Sequence, residues 1–117
     1  MKKKILVIDD DFNIRDYIVS LFDDNGYDTH VAGDVKEGIQ VAKAEKPDLI
    51  TLDIEMPGEW GPRFFSQLSQ DPELKNIPVI VITALSGHEH AIVKAVASLS
   101  KPFDRKELLK IVQETIH

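Results

Sequence analysis

Three short apolar runs constrain this chain more than any other feature: Ile5-Leu6-Val7-Ile8, Leu49-Ile50-Thr51-Leu52 and Val79-Ile80-Val81-Ile82. Runs of this length, without regular polar alternation, suit strands buried on both faces, as in the middle of a parallel sheet. Each stops at polar side chains: Asp9-Asp10-Asp11 after the first, Asp53 after the second, Thr83 after the third. Helical patterns lie between them. Ile14, Tyr17, Ile18, Leu21 and Phe22 follow the spacing of an amphipathic helix, and Asn25-Gly26 supplies a left-handed stop. Asp34 and Glu37 have the spacing of a capping box, ahead of a helix whose inner face is Val35, Gly38, Ile39 and Ala42 and which Lys46-Pro47 ends. Gly61-Pro62 opens a third helix with Phe64, Phe65 and Leu68 facing inward. Ser86 with Glu89 opens a short fourth, and Asp104 with Glu107 opens a last one carrying Leu108, Ile111, Val112 and Ile116 on its core face.

Two weaker strands complete the pattern, Tyr27 to Ala32 with polar residues expected nearer an edge, and Ala97 to Ser100, poor in strand formers. Five strands alternating with five helices predict an α/β fold, a single-domain doubly wound parallel sheet of five strands in the flavodoxin-like order 2-1-3-4-5. Right-handed crossovers then bring the polar strand ends Asp9-Asp10, Asp53, Thr83 and Lys101 to one sheet edge, where such sheets bind ligands. A chain of 117 residues is enough for one core, so residues 1–117 are expected to form one domain. A net charge of −6, with Lys2-Lys3-Lys4 as the one basic cluster, argues against direct contact with nucleic acid or an acidic membrane. No apolar run approaches a membrane span, no signal peptide is present and no cysteine occurs, which points to a cytoplasmic protein.

Three carboxylates brought to one edge repel one another unless a cation joins them. Mg²⁺, which prefers oxygen ligands and retains water, is the expected cofactor, with Asp10 and Asp53 as direct ligands, Asp9 contacting through water and the backbone carbonyl of Glu55 as a third ligand. The hydroxyl of Thr83 and the ammonium of Lys101 would hold phosphoryl oxygens, and an Asp53 oxygen would attack phosphorus to give an aspartyl phosphate. Met56-Pro57-Gly58 turns the chain immediately afterwards. His88-Glu89-His90 has a spacing that splays two imidazoles apart on a helix and reads as a solvated face. Trp60 reads as packing beside the Asp53 loop.

Through Val7-Ile8-Asp9-Asp10-Asp11, Leu52-Asp53-Ile54-Glu55-Met56-Pro57-Gly58, Val81-Ile82-Thr83-Ala84 and Ser100-Lys101-Pro102-Phe103, the chain resembles the receiver domain of two-component response regulators over almost its whole length. The resemblance implies a phosphorelay protein in which Asp53 takes a phosphoryl group from a sensor histidine kinase or phosphotransfer protein. It implies that Asp9 and Asp10 bind Mg²⁺, and that Thr83 and Lys101 hold the phosphate. Self-catalysed phosphorylation and dephosphorylation would be its only chemistry, and its output would be contact with an unidentified protein target, as a monomer or weak homodimer. Two departures concern output. Receivers usually carry Tyr or Phe three residues before the lysine, where this chain has Ser98, and the stretch from Thr83 to Lys101 is about one helical turn shorter than the family pattern. Two alternatives stand beside this reading: a docking or dimerisation module with vestigial phosphorylation, and an aspartate-nucleophile phosphohydrolase using Asp9.

Overall fold

The computed structural model describes residues 2–53, 61–83, 97–100 and 103–116. Their elements run β1 (Lys4–Ile8), α1 (Phe12–Asp24), β2 (Asp28–Ala32), α2 (Val35–Glu45), β3 (Leu49–Asp53), α3 (Gly61–Gln70), β4 (Val79–Thr83), β5 (Ala97–Ser100) and α4 (Arg105–Thr115). The five strands form one sheet in the order β2-β1-β3-β4-β5, with every neighbouring pair parallel. Both the expected order and the expected edge position of β2 are observed. Four helices lie among the described residues; the helix expected from Ser86 onward, with His88 and His90, falls outside them, as does Trp60.

Strand alternation divides the interior into two layers. Leu6, Ile8, Ile50, Leu52, Val79 and Val81 meet Val35 and Ala42 of α2 and Phe64 and Leu68 of α3. On the opposite face Ile5, Val7, Leu49, Ile80 and Ile82 meet Ile18, Leu21 and Phe22 of α1 and Leu108 and Val112 of α4. At about 1.5–3 kcal/mol for each large aliphatic or aromatic side chain removed from water, these layers supply the main drive to fold. All five residues of β3 are buried, which makes it the centre of the sheet. Although β5 is a poor strand by propensity, it is held by pairing with β4 from Ile80↔Ala97 to Thr83↔Ser100 and by buried Leu99.

Local chemistry sets the helix ends. Asp11 caps α1 by accepting from the N–H groups of Asn13 (2.9 Å) and Ile14 (3.3 Å). At the other end, Gly26 N–H donates to Asp23 O and Tyr27 N–H to Phe22 O, with Gly26 at φ 87° and the Phe22 and Tyr27 rings 6.0 Å apart edge to face. That is a Schellman closure with its hydrophobic contact. In α2 the capping box closes differently from the expectation: Asp34 accepts from Glu37 N–H, but the Glu37 carboxylate accepts from Gly33 N–H at 3.3 Å. The helix stops on Lys46 at φ 48°, a left-handed conformation without a glycine. Asp104 caps α4 through Lys106 N–H, one residue earlier than the Glu107 spacing suggested. Tyr17, expected on the inner face of α1, is 45% exposed, and its ring lies edge-on to Phe103 at 5.9 Å. Phenols commonly sit at such a border, with the ring packed and the hydroxyl toward water. Leu74, in the turn between α3 and β4, is buried in the α2/α3 layer although no periodicity marks it.

Candidate functional site

The site grows from the register at the carboxyl ends of the central strands. Ile8↔Leu52 is the last aligned pair of β1 and β3, so Asp9 leaves β1 beside the point where Asp53 ends β3. Asp53 is itself paired with Ile82 of β4. One carboxylate oxygen from each of Asp9, Asp10 and Asp53 lies within 4.8 Å of the other two. Asp9 is 2% exposed and Asp53 4%, whereas Asp10 is exposed. Burial deprives two of the three charges of water, and their proximity raises the local negative potential further; both effects favour a cation at the open side.

The loop between β1 and α1 is shaped to hold this arrangement. Asp9 N–H donates to Ala32 O of β2 at 3.1 Å, and an Asp9 carboxylate oxygen accepts from Asp11 N–H at 2.9 Å. Arg15, one turn into α1, reaches back to the Asp9 carbonyl at 3.5 Å, its guanidinium 4.3 Å from the centre of the exposed Phe12 ring. Asp11 thus turns away from the cluster and caps the helix, while its own N–H orients Asp9. The sequence marks Asp9 and Asp10 as metal ligands but gives Asp11 no role of its own, so its part as helix cap and as donor to Asp9 comes from the structure. An Asp directly before the first helical residue was the available signal. Arg15 carried no comparable mark, because its link to Asp9 depends on the loop geometry.

Of the other expected site residues, Thr83 is placed as the last residue of β4, in register with Ser100 of β5. Its hydroxyl, Lys101 and the Glu55 carbonyl fall outside what the structure describes. Ser98 is in β5, paired with Val81. Among the described residues, no helix is long and apolar enough to cross a membrane.

Residues 5–113 match the family model described as the response regulator receiver domain. The chain belongs to the response regulator receiver family. This receiver is 36% identical over 116 residues to protein Rrf1 of Nitratidesulfovibrio vulgaris, covering 99% of this chain and 84% of that protein. It is 31% identical over 118 residues to sporulation initiation phosphotransferase F of Bacillus subtilis, covering 97% of this chain and 94% of the relative. Among solved structures it superimposes on response regulator protein TrrA of Thermotoga maritima, in complex with Mg²⁺ and BeF, with a TM-score of 0.88 and 29% identity; 97% of this chain and 99% of that one are covered. Receivers as a family are signalling modules phosphorylated on an aspartate, with Mg²⁺ held in an acidic pocket. Three clustered carboxylates, two of them buried, form an oxygen-rich donor set suited to that ion.

Proposed function

We propose that Asp53 is the phosphoacceptor of this receiver and takes its phosphoryl group from a phosphohistidine on a sensor histidine kinase or a phosphotransfer protein. One observation carries the reading: a buried carboxylate at the end of the central strand shares its surroundings with two further carboxylates from the loop that follows the neighbouring strand, β1. An Asp53 oxygen would attack phosphorus as the bond from phosphorus to the donor nitrogen breaks, and with the other ring nitrogen of the phosphohistidine already protonated, the donor would leave as neutral imidazole. Asp9, oriented by Asp11 N–H, and Asp10 would hold Mg²⁺ with Asp53 and the Glu55 carbonyl. The ion would offset charge on the phosphoryl oxygens. Thr83 and Lys101 are assigned to those same oxygens, since their strands end at this edge.

Approach of a donor to this edge passes the exposed ring of Phe12, which offers apolar contact beside the acidic groups. The reading makes residues 1–117 one receiver unit acting in the cytoplasm through protein contact, with no substrate other than the phosphoryl group. The sequence similarity to a Bacillus subtilis protein named as a phosphotransferase supports onward transfer of phosphate as one such role. Ser98 in place of the usual aromatic residue sets its output apart from the common relay.

Incubation with acetyl phosphate and Mg²⁺, followed by intact-mass and peptide mass spectrometry, tests the assignment. A single phosphoryl adduct on Asp53, lost in Asp53→Asn and in chelator, is expected. An adduct on Asp9 would support the hydrolase chemistry instead, and the absence of any adduct would leave the docking-module reading in its place.

A further inference from the structure

The outer side of β2 carries a feature that phosphoryl transfer does not use. Among the described residues β2 has one strand neighbour, β1. Asp28 N–H donates inward to Lys3 O, and Ala32 O accepts inward from Asp9 N–H. In a parallel strand the backbone groups of alternate residues face alternate sides. Asp28, His30 and Ala32 therefore serve the ladder with β1, and the N–H and C=O groups of Thr29 and Val31 point away from the sheet. These outward groups lie on the floor of a groove of about 670 Å³, walled by α1 on one face of the sheet and α2 on the other. Val19 of α1 and Val41 of α2 line its sides, and Val31, 40% exposed, rises from the floor.

We propose that this groove docks an extended segment of a partner protein, which adds a strand to β2 and carries aliphatic side chains alternating with basic ones. The outward backbone of Thr29 and Val31 supplies the ladder; because an added strand turns alternate side chains to opposite faces, the aliphatic ones meet Val41 and Ala44 of α2 and the basic ones meet Asp16 and Asp23 of α1. The α1 rim carries the carboxylates of Asp16 and Asp23 beside the guanidinium of Arg15, whereas Glu45 on the α2 side is already paired with Lys4 Nζ at 3.3 Å. Pairing of two copies through this edge would set these acidic rims against each other in a chain of net charge −6, which disfavours a second copy as the occupant. The surface lies apart from the carboxylate cluster, so its test does not depend on phosphorylation.

The experiment uses the full chain, ¹⁵N-labelled, titrated with a peptide of about ten residues alternating valine and lysine, and with its valine–glutamate counterpart. Saturable binding of the lysine peptide with slowed exchange at the Thr29 and Val31 amides is expected, the glutamate peptide binding about ten-fold more weakly or not at all. Val31→Pro removes an outward N–H and spares the ladder with β1, so it should weaken the lysine peptide by about ten-fold or more. Asp16→Lys, on the exposed rim, should shift preference toward the glutamate peptide without disturbing the fold. Equal binding of the two peptides, protection confined to other strands, or no saturable binding would overturn the proposal. So would a homodimer in velocity sedimentation that Val31→Pro dissociates.

Discussion

Asp10→Asn removes one charge from the acidic cluster while preserving side-chain shape, and the structure sets the size of the effect. Asp10 has two carboxylate neighbours, Asp9 and Asp53, with oxygens no farther than 4.8 Å away. At that separation each pair of unit charges repels by about 0.9 kcal/mol in a water-like dielectric and about 3.5 kcal/mol at an effective constant of 20. The exposure of Asp10 favours the lower figure, and interactions that Asp9 and Asp53 make with other groups offset part of it. A gain of about 1–2 kcal/mol in chelator remains, which for a domain of this size raises Tm by roughly 4–8 °C. Mg²⁺ should reverse the order. A cation at one hundred times its dissociation constant contributes about 2.7 kcal/mol, and a site missing one of three carboxylates receives less of it. Thermal unfolding followed by circular dichroism, in EDTA and across a Mg²⁺ titration, should therefore show the two stability curves crossing. Monovalent salt near 1 M, where the screening length is about 3 Å, should narrow the gap in EDTA. Identical Tm values in EDTA, or a difference that Mg²⁺ does not change, would refute the electrostatic reasoning.

Three further substitutions probe the frame around the site. Thr51 is the middle residue of β3, 1% exposed, and its hydroxyl has no hydrogen-bond partner among the described residues; Thr51→Val should raise stability by about 1–2 kcal/mol in urea unfolding, and a loss would reveal a partner for that hydroxyl. Lys46→Gly relieves a left-handed residue, a gain of about 1–2 kcal/mol that exceeds the extra chain entropy of glycine; its exposed ion pair with Glu73 contributes little, so a higher urea midpoint is expected and a lower one counts against strain at φ 48°. Gly38→Ala should destabilise despite a helix-propensity gain of about 1 kcal/mol, because a Cβ there would stand 2.6 Å from Cδ1 of buried Ile8; unchanged or increased stability would show that Ile8 repacks freely.

How far the chain could be read in advance depended on whether a residue's fate was local or set by distant neighbours. The three apolar runs became β1, β3 and β4, and their polar exits met because a doubly wound sheet aligns its carboxyl ends; the convergence of Asp9, Asp10 and Asp53 was thus legible as topology. Asp34 announced its helix by spacing alone. The exposure of Tyr17 was not legible, because the angular stripe that includes it does not show where the stripe's border falls. Leu74 lies in a turn too short to have a period. The orphaned hydroxyl of Thr51 depends on what β1 and β4 place opposite it, here Val7 and Ile80, which no local pattern encodes. The groove beside β2 arises from two helices on opposite faces overhanging an outer strand, a relation that exists only after assembly.

With Leu52 matched to Ile8 on one flank and Asp53 to Ile82 on the other, the main chain of β3 is gripped on both sides up to Leu52 and on the β4 side to its final residue, Asp53. Such a mounting leaves Asp53 little freedom to travel when its charge changes. On the proposed chemistry, whatever adjustment accompanied acylphosphate formation would have to be made by the groups gathered around a stationary post, and the carboxylate would act as the reference point from which displacement elsewhere in the molecule is measured.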